Sequence, residues 1–155
     1  MIDAQAVVTG EKDREISTAR VINAPVEVVF GAWIDREQIV QWWGPRGFTN
    51  TFLEFEPFAG GAWKFIMHGP DGGDYNNESV FLEVDQPARV VVDHISPPKF
   101  QLTATFEDLG SKTKLTWRML FETSDLRDKI KELAIDGNEQ NLDRLESHLA
   151  GRLMK

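Results

Sequence analysis

TKLTWRMLFETSDLRDKIKELAI, residues 113–135, changes its period halfway along. Thr113, Leu115, Trp117, Met119 and Phe121 alternate with Lys114, Thr116 and Arg118, the period of a strand with one buried face. Ser124 or Asp125 then supplies an N-cap, and Leu126, Ile130, Leu133 and Ala134 recur at spacings of three and four, which is a helix. The stripe resumes beyond Asp136-Gly137-Asn138 with Leu142, Leu145, Leu149 and Leu153. Glycine weakens a helix by about 1 kcal/mol relative to alanine, so a kink or break is expected at Gly137.

Upstream, period two governs residues 50–106. Thr51, Leu53 and Phe55 alternate with Phe52, Glu54 and Glu56, and Trp63, Phe65 and Met67 alternate with Lys64, Ile66 and His68. The glycine-rich HGPDGGDYNN reads as a hairpin connection. Val80, Leu82 and Val84 share a face, as do Val90, Val92 and His94, and then Phe100, Leu102, Ala104 and Phe106. Before all of these, Arg14 to Ile22 alternates as a strand. Two short helices follow it, one opened by Pro25 and carrying Val26, Val29, Phe30 and Trp33, the other capped by Asp35 with Gln38 three residues on. The expected order is one strand, two short helices, six strands and a long C-terminal helix. Strands apolar on one face and joined by turns make an antiparallel sheet. The class is α+β: a seven-stranded curved sheet wrapped on the last helix, with the two short helices between strands 1 and 2.

The length of 155 residues suits a single domain over 13–153 after a flexible N-terminus of residues 1–12. A formal charge of −8 without a basic stripe excludes nucleic acid as a partner. No apolar run approaches the roughly 18 residues of a membrane span, and the first residues lack the build of a signal peptide. With no cysteine and only three unclustered histidines, neither a thiolate site nor a zinc site is expected. The chain reads as a cytoplasmic domain, monomer or homodimer.

QIVQWWGPRGF, residues 38–48, sets two tryptophans side by side. Neighbours on a helix point about 100° apart, so both cannot enter one core. One is expected to seal the core and the other to stand at the entrance of a cavity.

RVINAPVEVVFGAWIDREQIVQWWGP, FAGGAWKFIMHGPDGG and NLDRLESHLAG together resemble, over residues 14 to about 151, proteins similar to the C-terminal domain of the activator of Hsp90 ATPase. That family lies in the helix-grip superfamily of START-type and Bet v 1-like (SRPBCC) proteins. The resemblance implies a cavity between sheet and helix, in a superfamily of lipid carriers, cofactor-free cyclases, hormone receptors and co-chaperones. Many relatives carry Gly-Trp where this chain has Gly137-Asn138, so asparagine either makes the cavity more polar or leaves room.

The expected cavity takes Trp42, Trp43 and Phe48 from the region of the second short helix, and Trp63, Phe65 and Met67 from the Gly-Gly-x-Trp strand. Val92, His94 and Phe106 come from the middle strands, Trp117 and Met119 from the last strand, and Leu142 and Leu145 from the closing helix. Any of these aromatics also suits a plain core. The expected function is cofactor-free binding of a small hydrophobic or aromatic molecule in an enclosed pocket of about 300–1,000 Å³, the usual range for ligand sites. The alternatives are a co-chaperone contact with an Hsp90-type ATPase, and a cofactor-free cyclase or hydrolase using His94 or Arg118 with Tyr75. Serines without a nucleophile-elbow context and carboxylates on outward parities single out no catalytic residue.

Overall fold

In the computed structural model, which describes residues 13–153, the elements follow the expected order. Strand β1 (Glu15–Ile22) leads into helices α1 (Val26–Ile34) and α2 (Arg36–Trp42). Strands β2 (Thr49–Phe55), β3 (Ala62–His68), β4 (Asp74–Asp85), β5 (Arg89–His94), β6 (Phe100–Asp108) and β7 (Thr113–Phe121) follow, and α3 (Ser124–Leu153) closes the chain. The flexible N-terminus expected over residues 1–12 lies outside the described residues, as does the side chain of Leu153. Among the described residues no helix is long and apolar enough to cross a membrane.

All seven strands pair antiparallel in the order β1-β7-β6-β5-β4-β3-β2. Strands β1 and β2 therefore occupy opposite edges, and α1 and α2 must carry the chain across the sheet between them. They cross over its inner face, where Val29, Phe30, Trp33, Ile39 and Trp42 are buried. Asp35 caps α2 as expected: its carboxylate accepts the Glu37 N–H at 3.0 Å and the Gln38 side-chain N–H at 3.0 Å.

Two strands depart from simple alternation. In β2 the register shifts between Phe52 and Glu54, so Phe52 is buried and Leu53, expected beside Phe55, is exposed. In β4 the shift falls between Phe81 and Glu83. Ser79 and Phe81 are buried, Leu82 is exposed, and Val84 packs on the core only after the extra residue. A bulge sets two residues opposite one, which resets the parity and bends the strand. The same two irregularities help curve the sheet around α3.

Helix α3 departs from expectation at both its start and its middle. Thr123, rather than Ser124 or Asp125, caps it: its hydroxyl accepts the Leu126 N–H at 3.1 Å. The helix runs unbroken through Gly137, where an added Cβ would lie 3.6 Å from the Pro45 ring. Tertiary packing outweighs the propensity cost of a single glycine. The C-terminal half buries Leu142, Leu145 and Leu149, whereas the N-terminal half leaves Leu126, Ile130 and Ala134 half-buried and Leu133 77% exposed. The helix thus meets the sheet flush at one end only.

Polar contacts hold that flush end. Asn141 accepts the Gly44 N–H at 3.1 Å and donates to the Trp42 carbonyl at 2.7 Å. Arg144 donates to the carbonyls of Trp43, Gly44 and Pro45 at 3.1, 3.0 and 3.0 Å, and to that of Gln41 at 2.8 Å. The Gln41 and Trp42 carbonyls belong to the last turn of α2, which leaves them without helical partners, and those of Trp43, Gly44 and Pro45 to the turn that follows; a cation suits that end of the dipole. Gly44 turns the chain at a φ of 98°, a left-handed conformation that favours glycine. On the other flank, Arg20 of β1 reaches Asp143 and Glu146 at 2.7 Å and also meets Glu139, three carboxylates on one face of α3.

Replacing Asn141 by leucine orphans two buried backbone groups, and urea unfolding is expected to show a loss of about 2–4 kcal/mol. Arg20→Met leaves three carboxylates facing one another. It is expected to cost about 1–2 kcal/mol at low salt, with the deficit shrinking towards about 1 M NaCl as screening weakens both the attraction and the repulsion.

Candidate ligand cavity

Between the N-terminal half of α3 and the inner face of the sheet lies a cavity of about 250 Å³. Strands β3 and β7 supply Phe65, Met67, Trp117 and Met119, and α3 supplies Ile130, Ala134 and Asn138. Trp43 and the Gly44-Pro45 turn close one side. Exposed Leu133 and Pro98 stand on its rim, so the space is open to solvent there rather than enclosed, and it is smaller than expected.

The reason is the aromatic filling of the other end. Trp43 stacks on Trp117 at 5.3 Å between ring centres and 14° between planes, and lies 4.8 Å from Trp63. Its edge contacts with Trp33 and Trp42 are at 5.6 and 5.7 Å. All five tryptophans of the chain thus form one cluster, with Trp43 touching each of the other four. Trp42 is fully buried, its indole N–H donating to the Ala32 carbonyl at 3.1 Å, while Trp43 is half-buried and faces the cavity.

Six of the side chains singled out from sequence meet around the cavity: Trp43, Phe65, Met67, His94, Trp117 and Met119. Seven lie elsewhere. Trp63 stacks on Phe81 at 5.6 Å, Phe106 packs edge-on against Phe30 and Trp33, and Trp42 and Val92 are buried in the same core. Leu142 and Leu145 sit beneath the flush end of α3, and Phe48 is half-buried, 6.1 Å from the Tyr75 ring. The tryptophan cluster takes up the room that these residues were expected to surround.

Asn77 escaped the sequence reading because it fell in a segment taken for a hairpin connection, whereas β4 already begins at Asp74. Counting parity back from buried Phe81 through Ser79 puts Asn77 on the inner face. Its Oδ1 lies 2.8 Å from His94 Nε2, and His94 Nδ1 lies 2.9 Å from the Pro98 carbonyl. The imidazole also stacks on Phe100 at 4.5 Å and 10°. Burial pushes the His94 pKa below its ordinary value, although the neighbouring carbonyls of Pro98 and Ser96 and the Asp93 charge pull it upward. Asn138, 8% exposed, donates to the Met119 sulfur at 3.4 Å.

His68 points away from this space, between Thr51 and Asp74 at 2.8 and 2.7 Å. Arg118 alternates to the outer face, where its Nε donates to Glu15 at 2.9 Å, and Tyr75 is exposed. Neither joins His94 at the cavity. Among the described residues, no three His, Asp or Glu side chains gather as a metal site requires.

The family model described as "Activator of Hsp90 ATPase homolog 1-like protein" matches residues 23–150. The comparison with curated proteins returns no match. Among solved structures, a protein from Arthrobacter aurescens superposes with a TM-score of 0.83 at 24% identity, over 90% of this chain and 88% of that one. A protein from Nitrosomonas europaea gives 0.84 at 19% identity, over 92% and 98%. The AHSA1-like protein from Aeromonas hydrophila gives 0.74 at 19%, over 91% and 95%. At these identities the structures speak for the fold alone, while the family model spans most of the sequence. The chain belongs to the activator of Hsp90 ATPase homolog 1-like family, within the helix-grip superfamily.

Proposed function

We propose that this protein binds a small hydrophobic or aromatic molecule, without a cofactor, in the space between the sheet and the N-terminal half of α3. The cavity itself carries the reading: its walls are mainly aromatic, aliphatic and thioether groups, with amides and one imidazole as the polar points. No Asp, Glu, Lys or Arg lines it among the described residues, in a chain with 25 acidic side chains. Concave apolar spaces with a few placed polar groups are the usual form of a ligand site. Size narrows the class. A dry apolar cavity of about 150 Å³ takes up benzene, so about 250 Å³ suits one or two fused rings rather than a long acyl chain. The thioethers of Met67 and Met119 adapt to irregular outlines. A cysteine-free chain suits a reducing, cytoplasmic setting.

The family description favours a second reading, stimulation of an Hsp90-type ATPase through a protein contact. An unchanged chaperone ATPase rate at saturating concentrations of this protein would eliminate it.

Indole or naphthalene at about ten times its dissociation constant is expected to raise the melting temperature by about 3 °C or more, because a ligand that binds only the folded state stabilises it by mass action. Asn138→Trp places an indole in the cavity. That variant is expected to melt no lower than the parent and to lose the ligand-induced rise. If it keeps the full rise, the ligand lies elsewhere.

A further inference from the structure

His94 is the one titratable side chain lining the cavity among the described residues, and its hydrogen bonds are mismatched. Both ring nitrogens face oxygen: the Pro98 carbonyl on one side and Asn77 Oδ1 on the other. The Asn77 amide is held in that sense because its Nδ2 donates to the Tyr75 carbonyl at 3.0 Å. A neutral imidazole carries a single N–H and satisfies only one of two acceptors, whereas the imidazolium satisfies both. A buried cation, however, requires a counter-charge.

The cavity wall offers none. Strand β4 contributes Asn77, β6 contributes Phe100 and Leu102, β7 contributes Trp117 and Met119, and α3 contributes no charged group. On the far side of His94 a separate surface cleft is lined by two acids, Asp93 and Glu122, and two bases, Arg14 and Lys99, so its formal charges cancel. Asn138, meanwhile, spends its amide N–H on a thioether sulfur, a weak acceptor that any oxygen would outcompete.

Resting on the binding role proposed above, we infer that the ligand is a one- or two-ring aromatic acid, its ring among Trp43, Phe65 and Trp117, its acidic oxygens accepting from Asn138 and its charge balanced by a doubly protonated His94 that keeps both of its own hydrogen bonds. An entering carboxylate supplies the missing negative charge and lets His94 hold a second proton, so that both ring nitrogens donate. A hydrocarbon of the same outline fills the walls but leaves the mismatch in place. An ammonium ligand meets donors and adds like charge. In the free protein burial holds the His94 pKa low, so binding of the acid takes up a proton near neutral pH.

Equilibrium binding of naphthoate, methylnaphthalene and naphthylmethylamine to the full chain, and to His94→Phe, tests this. The parent is expected to prefer naphthoate over methylnaphthalene by about tenfold or more, the value of a charge-assisted contact. His94→Phe is expected to bring that ratio to about one. In the parent, naphthoate affinity is expected to fall as pH rises from about 5 to about 8, while methylnaphthalene affinity stays level. The pH profile tests the point even if the variant fails to fold. Equal binding of acid and hydrocarbon, a preference for the amine, or an acid preference surviving in His94→Phe overturns the inference and leaves the cavity reading standing. Binding of none of the three overturns both.

Discussion

Trp43 is the residue on which the arrangement depends. It follows directly on α2, touches each of the other four tryptophans, and presents its remaining surface to the cavity. A large rigid ring of this kind contributes to packing and forms a wall with little loss of side-chain freedom. Its position is set by backbone. The turn after it is pinned to α3 by Asn141 and Arg144, which between them satisfy the carbonyls of residues 41–45 and the Gly44 N–H. Core packing and the shape of the site are therefore coupled through one side chain and the two polar residues that hold its backbone.

That coupling divides α3 into two regimes. Its C-terminal half is bolted to β1 by Arg20 and to the Trp-Trp-Gly-Pro turn by Asn141 and Arg144, and Leu142, Leu145 and Leu149 are buried beneath it. Its N-terminal half has few such ties and stands off the sheet, and the cavity lies beneath it. Close packing and open space are thus assigned to different turns of the same helix. A protein must bury enough to fold, yet a fully packed interior binds nothing.

The sheet, its partner helix and the crossing pair of short helices were legible in the sequence because each repeats its hydrophobic period over several residues, as Thr113 to Phe121 does. The bulges at Phe52 and Phe81 were not. One inserted residue inverts a strand's faces and leaves no local mark when apolar residues stand on both parities, as Phe52, Leu53 and Phe55 do. Gly137 misled because intrinsic propensity says nothing of a neighbour such as Pro45 close against it. The cavity's aromatic side was legible from strand parity. Its boundary was not, since parity reports which residues face inward but not which of them meet one another. That is why Trp63, Phe106, Leu142 and Leu145 proved to be core while Asn77 proved to be wall.

Gathering every indole of the chain into one cluster also has an optical consequence. Near-parallel rings 5.3 Å apart couple their electronic transitions, and excitation absorbed by any member passes to whichever neighbour emits lowest. The protein's ultraviolet emission and its aromatic circular dichroism are therefore collective properties of this cluster, two of whose members, Trp43 and Trp117, line the cavity, and not sums over scattered reporters. Any occupant that shifts Trp43 changes the whole spectrum at once, so the unlabelled chain carries its own gauge of occupancy.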